Sequence, residues 1–389
     1  MLSLIFLIPI IFAIVLLIFF NKKVVWFEYL ILIIPSIIIS SAVYFGMIRH
    51  SEDDVEYLGE YVTSVKYYEP WDEYIHRTCT RTVGSGKHSH TVSYDCSYVE
   101  HHDKEWKQVL SNGYEYSISE SEYNRLTRLW KNGNIFIDMH RNYYSYDGDC
   151  YEKKWDKTPI NSKTVTFEES YINKVKASNS IFGFSKIEPS EAKSLGLYEY
   201  PNLFSQSVSF SENDQDQSPF LGYKPSPLEM KKFRFINGYY GNTKQFRTYL
   251  LFFYDKPRTI VKDQQSYWSG GNKNEFIICF GIDSKTKNIK WVDCFSWSDK
   301  HTLEIDVKSY FDDKEKLNLS KFADWFGTKI VKDWSRKNFS DFDYINVELT
   351  PTQLLWLFIV VMLFNIAVSI WVVCNDIQYR KKGNKYDVE

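Results

Sequence analysis

The chain has 389 residues, with 47 Lys and Arg set against 49 Asp and Glu, for a formal net charge of −2. A near-neutral chain with no basic stripe lacks the electrostatic footprint of nucleic-acid binding, so that class is set aside. Its hydrophobic residues are unevenly spread: long apolar runs near both ends enclose about 300 more polar residues.

The apolar runs cover residues 1–20, 24–48 and 354–374. Each has about the 20 apolar residues that a helix rising ~1.5 Å per residue needs to cross ~30 Å of hydrocarbon. The expected fold is therefore α+β, with three transmembrane helices, two N-terminal and one C-terminal, around a strand-rich α+β extracytoplasmic domain. The first run has no basic leader and no small-x-small cleavage site, so it is expected to remain as a helix. Lys22 and Lys23 follow it, and Arg380, Lys381, Lys382 and Lys385 follow the last run. Basic flanks favour the cytoplasm. Acidic residues mark the opposite ends: Glu52, Asp53, Asp54 and Glu56, then Asp341, Asp343 and Glu348. The reading is a multi-pass protein with a transmembrane hairpin (1–48), an extracytoplasmic domain (49–350), a third span (351–374) and a cytoplasmic tail (375–389).

Within the spans, Ser36 and Ser40 share one helical face, and Asn365 and Ser369 share another. Ser36, Ser40 and Asn365 are the expected helix-pairing residues, through an interhelical hydrogen bond of about 0.6–2 kcal/mol. The competing reading is a serine bonded back to its own helix. No span carries a central charge, since Glu28 lies near the cytoplasmic surface, where it can snorkel, and this argues against an ion pathway.

In the polar region, alternation predicts strands over residues 61–67, 77–83 and 91–98, the last two forming a hairpin about Gly84, Ser85 and Gly86. Ser119 to Glu122 and Ser226 to Glu229 read as capping boxes, the second with Pro227 at the first helical position. Residues 205–218 read as a linker and possible subdomain boundary. Beyond it come a strand (249–254), a helix (258–268), strands (275–282 and 290–297) and a further strand near 302–307. A helix over 320–338 carries Phe322, Trp325, Phe326, Ile330 and Trp334 along one side. Three roles compete for it: transmitting movement between the domain and the membrane, lying in the headgroup layer with Lys321, Lys329 and Lys332 on the polar side, or packing in the core.

The cysteines carry the sharpest chemical signal. Cys79 and Cys96 lie equally far from the turn at Lys87 and His88, and Cys279 and Cys294 equally far from the turn at residues 285–287. Both pairs are expected disulfides in an oxidising compartment, leaving Cys150 and Cys374 over. A metal reading competes at the first hairpin, where His76, His88, His90, His101 and His102 lie among Cys79 and Cys96. A Cys/His zinc site with Glu100, Asp103 or Glu105 as base fits these residue types, but the spacing matches no recognised zinc pattern. Asp147, Gly148, Asp149 and Glu152 offer oxygen ligands without the twelve-residue calcium-loop pattern. Gly270 and Gly271 follow a helix rather than a strand, the reverse of a phosphate-cradling loop.

These residues point to a non-enzymatic integral membrane protein presenting a binding or sensing domain. No cofactor is expected, and the expected partners are the lipid bilayer and another protein or a second copy. Two alternatives stand beside it: a metal-dependent envelope hydrolase using hairpin 76–105, and a phage- or defence-related scaffold subunit of a membrane complex.

Overall fold

The computed structural model describes residues 2–20, 24–84, 86–129, 134–138, 150–154, 163–178, 184, 187–201 and 218–375. Both basic flanks, the loop at 147–149 and the linker at 205–217 lie outside these residues. Helix (46%) exceeds strand (29%) in an α+β mixture, and the chain divides into two compact units.

The first unit comprises Met1–Asp54, Ser170–Gly183 and Phe339–Glu389. Its long helices are α1 (Leu2–Phe20), α2 (Trp26–Glu52) and α10 (Pro351–Asn375). α2 and α10 are long and apolar enough to cross a membrane, whereas α1 is a shorter apolar helix. The three pack together through Ile5, Ile8, Leu357 and Val361 at one level and Ala13, Leu16 and Leu32 at another. A polar node joins α10 to α2: Asn365 Nδ2 donates to Ser36 Oγ at 2.7 Å and to the Val361 carbonyl at 2.8 Å. Ser40 departs from the expected pairing, because its hydroxyl donates to the Ser36 carbonyl of its own helix at 2.6 Å. Glu28 lies in the first turn of α2. It is 1% exposed, and its Oε2 accepts the Val25 N–H at 2.7 Å, satisfying a donor that the start of α2 would otherwise leave free.

The second unit comprises Val55–Glu169 and Phe184–Asn338. Its C-terminal half is a three-layer α/β/α sandwich. In chain order the elements are α5 (Pro189–Leu195), β11 (Phe220–Leu221), α6 (Pro227–Lys244), β12 (Arg247–Tyr254), α7 (Ile260–Tyr267), β13 (Glu275–Ile282), β14 (Ile289–Ser296), α8 (Thr302–Phe311) and α9 (Leu319–Asp333). Strand order is β11-β12-β13-β14, with the first three parallel and β14 antiparallel. β12 and β13 are nearly continuous apolar runs, as strands covered on both faces require. Leu250, Phe252, Phe276 and Phe280 face α6, α8 and α9, while Tyr249, Leu251, Ile277 and Cys279 face α5 and α7. Each such fully buried side chain stabilises the fold by about 1.5–3 kcal/mol. The crossovers through α6 and α7 step across the sheet in one direction yet lie on opposite faces, so one of the two is left-handed. About 98% of such connections are right-handed; β11, two residues long, imposes little of the strand twist behind that preference.

Two local expectations give way here. Residues 302–307 belong to α8 rather than a strand: Leu303, Val307 and Phe311 are buried at helical spacing, while Ile305, which completed the apparent alternation, is 61% exposed. α9 lies in the core, since Phe322, Phe326, Ile330 and Trp334 are buried against the sheet helices, which removes the apolar side that a headgroup-layer helix needs. The cap at Ser226 forms in full, with its Oγ accepting the Glu229 N–H and Glu229 accepting the Ser226 N–H.

The N-terminal half of this unit is a six-stranded sheet. Its strands are β1 (Asp53–Tyr68), β6 (Glu105–Leu110), β7 (Glu115–Ser117), β8 (Asn134–Asp138), β9 (Cys150–Lys154) and β10 (Thr164–Ile172). The order is β7-β6-β1-β9-β8, with β10 also on β1. α3 (Glu120–Leu129) covers it, burying Leu126 with Val62, Val65 and Leu110. β1 also crosses α6 at a point where only glycine fits: a Cβ on Gly59 would come within 2.0 Å of the Asn237 carbonyl.

Candidate functional site

Beyond the sheet, β1 and β6 continue as a two-stranded ribbon. Its outer strands are β2 (Trp71–Ile75) and β3 (Thr78–Val83), paired with β5 (Tyr98–His102) and β4 (His90–Asp95) respectively. From Ser64 opposite Val109, through Trp71 opposite His102, to Val83 opposite His90, every ladder pair keeps the same register. At ~3.4 Å per residue the ribbon extends on the order of 60 Å. All of β4 is exposed. An isolated two-stranded ribbon is only marginally stable in water, and this one has a covalent staple.

The staple is the Cys79–Cys96 disulfide, with Cα atoms 5.8 Å apart. The ladder places Tyr94, not Cys96, opposite Cys79. Cys96 follows the ladder's end, its N–H donating to the Arg77 carbonyl at 2.9 Å. The bond is therefore a diagonal one, reaching across the interruption between β2 and β3.

Cys279 and Cys294 are both free and buried, which corrects the second expected disulfide. The β13–β14 register pairs Cys279 with Asp293 and Cys294 with Ile278. Displacement by one residue sends the two side chains to opposite faces of the sheet: Cys279 lies with α7 and Cys294 with α8. Burial pushes both thiols well above the ordinary thiol range.

The histidines expected as a metal cluster are dispersed by the same period-two geometry. His88 and His90 sit at the exposed tip, His76 lies edge-on to Tyr74, and His101 and His102 face opposite sides of one strand. His101 Nδ1 lies 2.5 Å from Asp72. His102 Nε2 lies 2.9 Å from Glu73 Oε2, and its ring stacks on Trp71 with centroids 4.3 Å apart. The two thiols are consumed by the disulfide, so neither can ligate a metal. Among the described residues, Glu73, Glu100 and His102 come together, with ligand atoms within 4.8 Å of one another. Glu73, absent from the expected set, is the cross-strand partner of Glu100; the one signal the sequence held for it, which the expected set did not use, is its alternation with Trp71 and Ile75.

Register also sorts the ribbon into two unlike faces. Trp71, Glu73, Ile75, Arg77, Cys79, Arg81 and Val83 share a face with their partners His102, Glu100, Tyr98, Cys96, Tyr94, Val92 and His90. The other face is half Thr and Ser, with Asp72, Tyr74, His76, Asp95, Val99 and His101 making up the rest. Tyr94 and Tyr98 are each 47% exposed on the first face, and the Arg81 guanidinium lies 5.7 Å from the Tyr94 ring centre.

Away from the ribbon, a group of buried polar residues lies where β1 meets the α/β sandwich. Tyr200 donates to Glu275, and Arg247 donates to Tyr249 at 2.8 Å. Burial pushes the Glu56 carboxyl up, while Lys273 at 3.0 Å and Arg336 at 3.1 Å oppose that rise. The Glu56 ion pairs tie β1 to the residue pair before β13 and to the segment after α9. No protein-family pattern, curated protein or solved structure matches this chain.

Proposed function

We propose that this is a non-enzymatic integral membrane protein that presents a binding domain on the extracytoplasmic side, with the ribbon's aromatic face as its recognition surface. The apolar helices and the placement of Lys and Arg support three spans with both basic flanks cytoplasmic. The observation that carries the binding role is that four of the ribbon's six exposed large apolar side chains, Tyr94, Tyr98, Val83 and Val92, share one face of a stapled ribbon, while Tyr74 and Val99 lie on the other. Monomeric proteins seldom leave such residues contiguous and exposed without a use. Tyr, Trp and Arg are the residue types that dominate protein interfaces, so the partner is a protein surface with apolar pockets edged by acidic groups that pair with Arg77 and Arg81.

Site-specific photocrosslinking in the native membrane tests this. A crosslinker at Tyr98 should give a discrete protein adduct, and one at Thr80 on the opposite face should not. Equal adducts from both faces, or none from Tyr98, would sink the proposal. The hydrolase reading keeps one specific support, the convergence of Glu73, Glu100 and His102. It requires zinc to bind the purified protein and Glu73→Gln to abolish that binding together with a measurable hydrolysis.

A further inference from the structure

A cleft of about 490 Å³ opens at the carboxyl ends of β12 and β13, inside the α/β sandwich and remote in sequence from the ribbon. In open α/β sheets this is the end at which ligands bind, because the connecting loops diverge there. The volume falls within the usual small-molecule range. Phe252 and Ile282, both buried, form part of its lining, and Tyr223 stacks on Phe252 with ring centres 4.5 Å apart. Three lysines, Lys224, Lys287 and Lys316, line it together with Tyr254, and among the described residues no Asp or Glu does.

This is an unusual concentration of one sign on a chain whose net charge is −2. Three carboxylates in the flanking segments have partners of their own. Asp255 and Asp283 both meet Lys290, and Glu229 caps α6 through Ser226. Lys287 lies 5.3 Å from the Tyr254 ring centre. It occupies a left-handed backbone position (φ 61°) in a turn anchored by Asp283, whose carboxylate accepts the Lys285 and Thr286 N–H groups at 2.9 Å. The lysine is thus placed by a built turn. A second cleft, of about 360 Å³ beside β14, offers the contrast: Lys290, Lys308 and Lys314 share it with Asp312, Asp313 and Glu315, so its charges offset one another.

We infer that the β12–β13 cleft binds a phosphorylated small molecule bearing a planar ring, of the nucleoside-monophosphate class. The ring packs against the Tyr223, Phe252 and Tyr254 side, and the lysines meet the phosphate as point charges.

Isothermal titration of the full-length protein in detergent with AMP, adenosine and inorganic phosphate tests the assignment. AMP should bind saturably and more tightly than inorganic phosphate, adenosine should bind more weakly than AMP, and added salt should weaken AMP binding. The Lys224→Gln/Lys316→Gln variant should lose about tenfold or more in AMP affinity, the factor that ~1.4 kcal/mol produces. Both lysines are exposed, so its thermal unfolding midpoint should stay unchanged. Tyr254→Ala should weaken AMP while leaving inorganic phosphate unchanged. Absence of saturable AMP binding at millimolar concentration, AMP bound no better than inorganic phosphate, or undiminished AMP affinity in the folded lysine variant would each overturn the assignment.

Discussion

Two hairpins in the second unit each carry a cysteine pair spaced about evenly around a turn, and they resolve in opposite ways. In the exposed ribbon, Cys79 and Cys96 share a face and are joined, across a diagonal that leaves Tyr94 opposite Cys79. In the buried hairpin, one residue of displacement puts Cys279 and Cys294 on opposite faces, where each fills space in a different core layer. Burial also reverses what holds each hairpin. The ribbon has almost no core and relies on a covalent bond, whereas β13 and β14 rely on packed aromatic and aliphatic side chains and leave their thiols unreacted.

The largest test of that contrast removes an aromatic side chain from each hairpin. Phe280→Ala should cost about 3–5 kcal/mol in denaturant unfolding, because a fully buried ring leaves a cavity. Tyr94→Ala, at a half-exposed position, should stay within ~0.5 kcal/mol. Similar losses at both positions would mean the ribbon packs against something in solution. Next in size is the staple. Cys79→Ser with Cys96→Ser should destabilise the ribbon by about 3 kcal/mol on the loop-entropy estimate, read as faster amide exchange over residues 71–102. Exchange in β12 and β13 should not change; a global loss would show that the ribbon is not independently held.

Smaller is the effect on thiol chemistry. Cys279 and Cys294, buried and with their thiols pushed upward, should resist maleimide in the native protein and react once it is unfolded. Prompt native labelling of either would contradict the assigned burial. The smallest effect concerns the turn of the buried hairpin. Backbone N–H groups of Thr286 and Lys285, together with Lys290, hold the Asp283 carboxyl below its usual range. A depressed folded value stabilises the turn above the unfolded carboxylate pKa, and that contribution fades as pH falls through the folded value, hence below about pH 4. Amide exchange at Thr286, corrected for its intrinsic pH dependence, should show lost protection in acid, and Asp283→Asn should show a similar loss at neutral pH. Unaltered protection in both would remove the carboxylate from the turn's support.

Much of the local structure was legible because it depends on near neighbours. β13 (Glu275–Ile282) coincides with the expected strand, α6 begins at the expected cap and proline, and α2 and α10 follow from apolar length alone. Residues 302–307 misled because Leu303, Ile305 and Val307 alternate like a strand, while the surface they meet selects the helical set Leu303, Val307 and Phe311. The candidate site was legible only in part. The histidine-rich hairpin and the Cys79–Cys96 bond stood out, but the ribbon's unbroken register, its aromatic face and the place of Glu73 did not.

By itself, then, the sequence determined the apolar helices, the α+β composition and the caps, since hydrophobic length, periodicity and capping act over a few residues. Only the tertiary structure decided that Cys279 and Cys294 stay apart, that α9 lies in the core, and that Lys224, Lys287 and Lys316 converge on one cleft. These outcomes depend on strand register and on side chains brought together from distant parts of the chain, and a shift of one residue in a period-two ladder is enough to reverse them.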